Sequence, residues 1–133
     1  MQPPDPKAMP AVVMNLFYTG LGIARSLDRE HVPVIGLTAQ RGLYGNFTRC
    51  ARVVRCADSK GDPQGLVRDL LELSQQLGSR AVLFPTRDHD LTFLDTYRSV
   101  LEPGYSLVIP STAALGRCLD KLETVQHQFN FPA

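Results

Sequence analysis

The sequence predicts an α/β domain built on a doubly wound, mostly parallel sheet. Three observations point there. Short apolar runs recur at Ala11–Leu16, Pro33–Leu37, Ala81–Phe84 and Tyr105–Ile109. They lack polar alternation, as strands covered on both faces do. Segments with helical spacing lie between them, and such alternation of strands and helices makes a parallel sheet.

In chain order, Pro10–Leu27 reads as strand, turn and helix. Leu21, Ala24 and Leu27 recur at helical spacing, with Arg25 and Asp28 on the other side. Thr19 is the expected N-cap, because its hydroxyl can accept from a free first-turn N–H. Pro33–Leu37 completes a βαβ unit, whose crossover should be right-handed. Thr38–Asn46, with Gly42 and Gly45, reads as a loop. Val53 and Val54, between Arg52 and Arg55, read as a brief strand near a sheet edge.

Asp62-Pro63 is a strong helix start, with Asp as N-cap and Pro at the first helical position. Leu66, Leu70, Leu73 and Leu77 then share one stripe, and Gly78 is a natural stop. A single helix is expected after Phe84, with Leu91, Leu94, Tyr97 or Arg98, and Leu101 along one side, broken by Pro103-Gly104. Ser111 caps a short helix. Leu119–Phe129 reads as a further one, with Leu122, Val125 and Phe129 on one face.

Composition sets bounds. A chain of 133 residues, 44% hydrophobic and 20% charged, suits one domain with a sizeable core. A net charge of +1 argues against a nucleic-acid face built on gross charge. No apolar run approaches the roughly 20 residues that cross a bilayer, so no membrane partner is expected. The start, MQPPDPKAMP, is proline-rich, so residues 1–9 read as a flexible leader and not a secretory signal. Three cysteines without a CxxC pair suit a reduced, cytoplasmic setting.

Few residues suggest chemistry. Gly20 and Gly22 form a GxG without the third glycine of a dinucleotide loop, and Arg25 stands where close packing wants a small residue. A helix starting close to the sheet explains the pair better. Pro85–Asp90 leaves a central strand at its C-terminal end. Thr86 and Asp88 could hydrogen-bond a ligand there, and Arg87 could pair bidentately with a carboxylate. Asp88 and Asp90 would equally suit a helix N-terminus through its dipole. Asp88-His89-Asp90 is not assigned to a metal, because three adjacent side chains rarely converge on one ion.

His31, at the end of the first helix, suits the dipole, and His127 falls on a polar face. Cys50, Cys56 and Cys118 have no acid–base partner in sequence, so no catalytic residue is assigned. Arg49, Arg52 and Arg55 either line an anion-binding edge or guard it against strand pairing.

The order TGLGIARSL, PVIGL, TRC followed by ARVV, AVLFPTRD and LDK resembles the N-terminal, pre-ATP-grasp domain of ATP-grasp ligases. The likeness is to the carboxylate–amine ligase branch, including D-aspartate ligase-like proteins. It runs from about Pro10 to Pro132. The resemblance implies a three-layer, Rossmann-like domain over 10–118 and a helix over 119–133 leading into an ATP-grasp domain. It implies an ATP-dependent ligase that joins a carboxylate to an amine or thiol through an acylphosphate. ATP and Mg²⁺ would then serve the full-length enzyme, held by later subdomains, with neither expected in this fragment. The contributing substrate positions would be Tyr18, Thr19 and Gly20 with Thr86, Arg87 and Asp88. Lys121, the lysine of LDK, would reach the nucleotide phosphates.

The chain departs from the family at Asn15-Leu16-Phe17, where glycines are usual, and at Arg87 and His89, where Ser and Glu are common. It ends at FNFPA, where the ATP-binding subdomains would begin. The expectation is therefore an N-terminal piece, inactive alone, with small-molecule carboxylate and amine substrates and a homodimer compatible with its sheet edges. The alternative is a non-catalytic Rossmann-like binding or dimerisation module. Both expectations require the segments after Leu16 and Phe84 to open side by side onto one hollow.

Overall fold

The computed structural model describes residues 9–39 and 48–115. Five strands form one sheet: β1 (Ala11–Met14), β2 (Val34–Thr38), β3 (Arg52–Arg55), β4 (Ala81–Phe84) and β5 (Tyr105–Leu107). Their order is β3-β2-β1-β4-β5, and every pairing is parallel. Helices α1 (Tyr18–Arg29), α2 (Pro63–Leu77), α3 (Asp88–Thr96) and α4 (Arg98–Leu101) complete the regular elements among the described residues, with a helical turn at 112–115.

The side chains of the sheet divide between two apolar layers. Val12, Met14, Ile35, Leu37 and Leu83 pack against Leu66, Leu70 and Leu73 of α2, Leu94 of α3 and Leu101 of α4. Val13, Val34, Val53 and Phe84 pack on the opposite face against Ala24 and Leu27 of α1. The result is the expected three-layer, Rossmann-like fold. All residues of β1 and β2 are buried, as their unbroken apolar runs require. Edge strand β3 has exposed arginines at both ends.

Two helices behave as the sequence predicts. The Asp62 carboxylate caps α2 by accepting from the Gly65 N–H over 3.0 Å, and Pro63 follows at the first helical position. Gly78 ends it in the left-handed conformation, φ 64°. Ser111 likewise caps the turn after it, accepting from the Ala114 N–H over 3.2 Å.

Three expectations need correction. Thr19 is not the N-cap of α1. The Phe17 carbonyl already accepts from the Leu21 N–H over 2.8 Å, so the first turn closes earlier and Tyr18 is helical. The helix expected after Phe84 is two helices, interrupted at Tyr97 with φ −104° and ψ 20°. The Thr92 and Thr96 hydroxyls both donate to carbonyls four residues back, a pattern that bends helices. The strand expected to Ile109 ends at Leu107, although the Val108 N–H still donates to the Leu83 carbonyl. Residues 1–8 of the leader, the Gly42–Gly45 loop, the expected helix 119–129, Lys121, Cys118 and His127 lie outside the described residues.

Candidate functional site

Chain order around the sheet reverses between β1 and β4. After β3 the chain returns through α2 to the other side of β1. Loops leaving the C-terminal ends of β1 and β4 therefore diverge to α1 on one face and α3 on the other. In open α/β sheets such a reversal leaves a crevice that binds ligands. Here Thr19, Pro85, Thr86, Arg87, Asp88 and Leu91 line a cavity of about 200 Å³ at that place.

The two loops are tied together. The Thr86 hydroxyl donates to the Met14 carbonyl oxygen over 2.5 Å. The β1 loop itself turns at Asn15, φ 73°, a left-handed residue that asparagine tolerates better than most. That turn brings the Asn15 carbonyl against Gly20, where a Cβ would collide with it. Gly20 is thus a packing glycine, buried beneath the loop. Gly22 meets nothing within 4 Å at its Cβ position. Close approach explains the first glycine of the pair and leaves the second unexplained.

Asp90 is the centre of the site. It is fully buried and sits on the third residue of α3. One oxygen accepts from the Ser59 hydroxyl over 2.7 Å and from Arg87 Nη2 over 2.9 Å. The other accepts from Arg87 Nε over 3.0 Å and from the Arg87 and Thr86 main-chain N–H groups over 3.2 and 3.3 Å. A buried carboxylate is tolerable only with this density of donors. Arg87 Nη1 reaches a second carboxylate, Asp58, at 3.4 Å.

Asp58 is held by its own loop. Burial opposes its ionisation, but the Gly61 N–H, the Arg87 guanidinium and the Lys60 N–H prevail and hold the carboxyl below its ordinary range. Nearby Cys56 moves the other way. Burial, with the Asp69 carboxylate, pushes its thiol up to about 11, so it stays protonated and is a poor nucleophile near neutrality.

Of the predicted positions, Thr19, Thr86, Arg87 and Asp88 meet at the crevice. Tyr18 does not line it and is 69% exposed. Arg87 makes a bidentate carboxylate pair, with Asp90 of its own helix. Three of its five N–H donors are engaged in this way and with Asp58. Asp90 also accepts the N–H of the cap residue Arg87, so it performs the capping that Asp88 and Asp90 could have shared. Asp88 is exposed, and its carboxylate makes no hydrogen bond among the described residues.

Sequence reasoning missed Asp58 and Ser59, which sit in a segment legible only as a polar turn. Asp90, three residues after the cap, carries a recognisable capping-box spacing. Among the described residues, no group of three or more His, Cys, Asp or Glu could hold a metal ion. No helix among them is long and apolar enough to cross a membrane. No family model matches the chain, and no curated protein matches it.

Proposed function

We propose that the chain is the substrate-side domain of an ATP-dependent carboxylate–amine or carboxylate–thiol ligase, and that its crevice receives the amine end of a small acceptor. The reading rests on the family resemblance and on one observation. Asp88 presents an unengaged carboxylate in the crevice at the chain reversal, while Asp90 takes over the capping of α3. A free carboxylate suits an ammonium group. Arg87, largely satisfied by Asp90 and Asp58, is a weaker candidate for a substrate carboxylate. Its two remaining N–H groups serve to orient the acceptor.

The acylphosphate chemistry belongs, on this reading, to ATP-binding subdomains beyond these residues. The described residues hold no acidic cluster for Mg²⁺, so no nucleotide or metal step is assigned to them. A second reading, a non-catalytic binding or homodimerising module, draws on the same Arg87–Asp90 pair. A guanidinium gripped so fully serves a scaffold as well as a site.

Asp88→Ala tests the proposal in a form of the protein extended through the ATP-grasp region. Phosphate release should depend on both a carboxylate and an amine, and the variant should lower it at least tenfold with little loss of stability. The 133-residue chain alone should not bind ATP at micromolar concentration by calorimetry. Wild-type turnover in Asp88→Ala, or tight ATP binding by the isolated chain, would reject the reading.

A further inference from the structure

We propose that the cleft between the Ser59–Pro63 turn and the far flank of α3 is a second ligand site, one that takes a small aromatic carboxylate. Its cavity is about 320 Å³, larger than the crevice, and within the range of small-molecule sites. His89, Thr92, Phe93 and Thr96 recur at helical spacing and face it from α3, whereas Asp88 and Leu91 face the crevice. The two hollows therefore lie on opposite flanks of one helix.

The walls define the ligand. Phe93 and Tyr97 form a tilted ring pair with centroids 5.1 Å apart, and the Pro63 ring adds to the apolar surface. A flat ring slotted here would meet edges and faces in the geometry that aromatic groups prefer. Lys60 brings a positive charge, and no carboxylate is among the described residues that line the cleft. His89 adds an unmet need: its Nε2 is buried without a hydrogen-bond partner among the described residues. Buried polar atoms are normally paired, and a ligand that draws the imidazole of this cleft-lining residue toward it would give Nε2 its bond. A ring bearing one carboxylate satisfies the apolar wall, the lysine and the histidine together.

Titration of the ¹⁵N-labelled 133-residue chain with benzoate tests this. Saturable amide shifts should be confined to 58–63 and 88–97. Lys60→Ala should weaken binding about tenfold, the scale of one hydrogen bond to a charged group. Thr96→Trp should fill the cleft and abolish the shifts. Lys60 and Thr96 are both exposed, so the unliganded variants should give the parent spectrum elsewhere. Absence of saturable shifts up to about 10 mM overturns the proposal. So does benzyl alcohol binding as tightly as benzoate, or undiminished binding to Thr96→Trp.

Discussion

The Thr86 hydroxyl donates to the main-chain carbonyl oxygen of Met14, joining the loop after β4 to the last residue of β1. These segments are 72 residues apart in sequence, so the bond reports on the closure of the whole sheet around its chain reversal. Thr86→Val keeps the shape and removes the donor. Leaving the carbonyl unpaired should cost about 1–3 kcal/mol in urea unfolding. Thr86→Ser should retain most of the stability. Equal stability of the valine and serine variants would show that the bond contributes nothing.

The Arg87–Asp90 pair should behave as a buried ion pair. Arg87→Ala removes two of the bonds that hold a carboxylate with 0% exposure, and should cost about 3–5 kcal/mol. Asp90→Ala should cost as much, since the Ser59 hydroxyl and two main-chain N–H groups lose their acceptor. The double variant should fall short of the sum by about 0.5–3 kcal/mol, because the second change removes a partner already lost. Strict additivity in chemical denaturation would refute the coupling.

The two glycines of the GxG should respond in opposite senses. Gly20→Ala drives a methyl into the Asn15 carbonyl of the loop after β1 and toward a Val13 methyl of the strand itself. It should lower stability by at least 2 kcal/mol, the scale of overpacking in a well-filled site. Gly22 is exposed in the same helix, with open space at its Cβ. Gly22→Ala should raise stability by up to about 1 kcal/mol, through helix propensity alone. Thermal melts of the two variants decide it.

These residues show what the sequence carried. The parallel sheet and its layering were legible because β1 and β2 are apolar at every position but one or two, which only a doubly covered strand tolerates, whereas the strand order was not. Asp62, Pro63 and Gly78 announced α2 through local bonds within a few residues. The break at Tyr97 was not legible, since a helical stripe runs through it and two threonine back-bonds interrupt it. The site was half legible. Thr86, Arg87 and Asp88 follow from their place after a central strand, but the grip of Asp90 depends on Ser59 and Asp58. Those residues lie about 30 positions away across the sheet, and no local pattern records the contact.

Acid should weaken the same network through Asp58. Its carboxyl is held below the ordinary range in the folded chain, despite burial, by the Gly61 N–H and Arg87. A depressed folded pKa contributes stability that is complete above the unfolded value, about 3.9, and is lost as pH falls through the folded value. Asp58→Asn should therefore be less stable than the parent at pH 6, with the gap closing toward pH 2. Urea unfolding across that interval measures it, and a gap independent of pH would show that the charge of Asp58 is irrelevant.

The end of α1 holds a residue in the wrong conformation for its type. The His31 N–H donates to Asp28 and the Val32 N–H to Leu27, over 3.0 and 3.1 Å. That double closure leaves His31 at φ 61°, where glycine is the usual occupant. A side chain there costs about 1–2 kcal/mol, and the extra freedom of glycine in the unfolded chain returns about 0.5–1 kcal/mol of that. His31→Gly should therefore gain roughly 0.5–1 kcal/mol. His31→Val should lose stability, because a β-branched residue suits positive φ least. His31 is exposed and lines neither hollow, so ligand binding at both should be unchanged. Melting points in the order glycine, histidine, valine are the expected result, and histidine melting above glycine would mean that the imidazole makes a compensating contact.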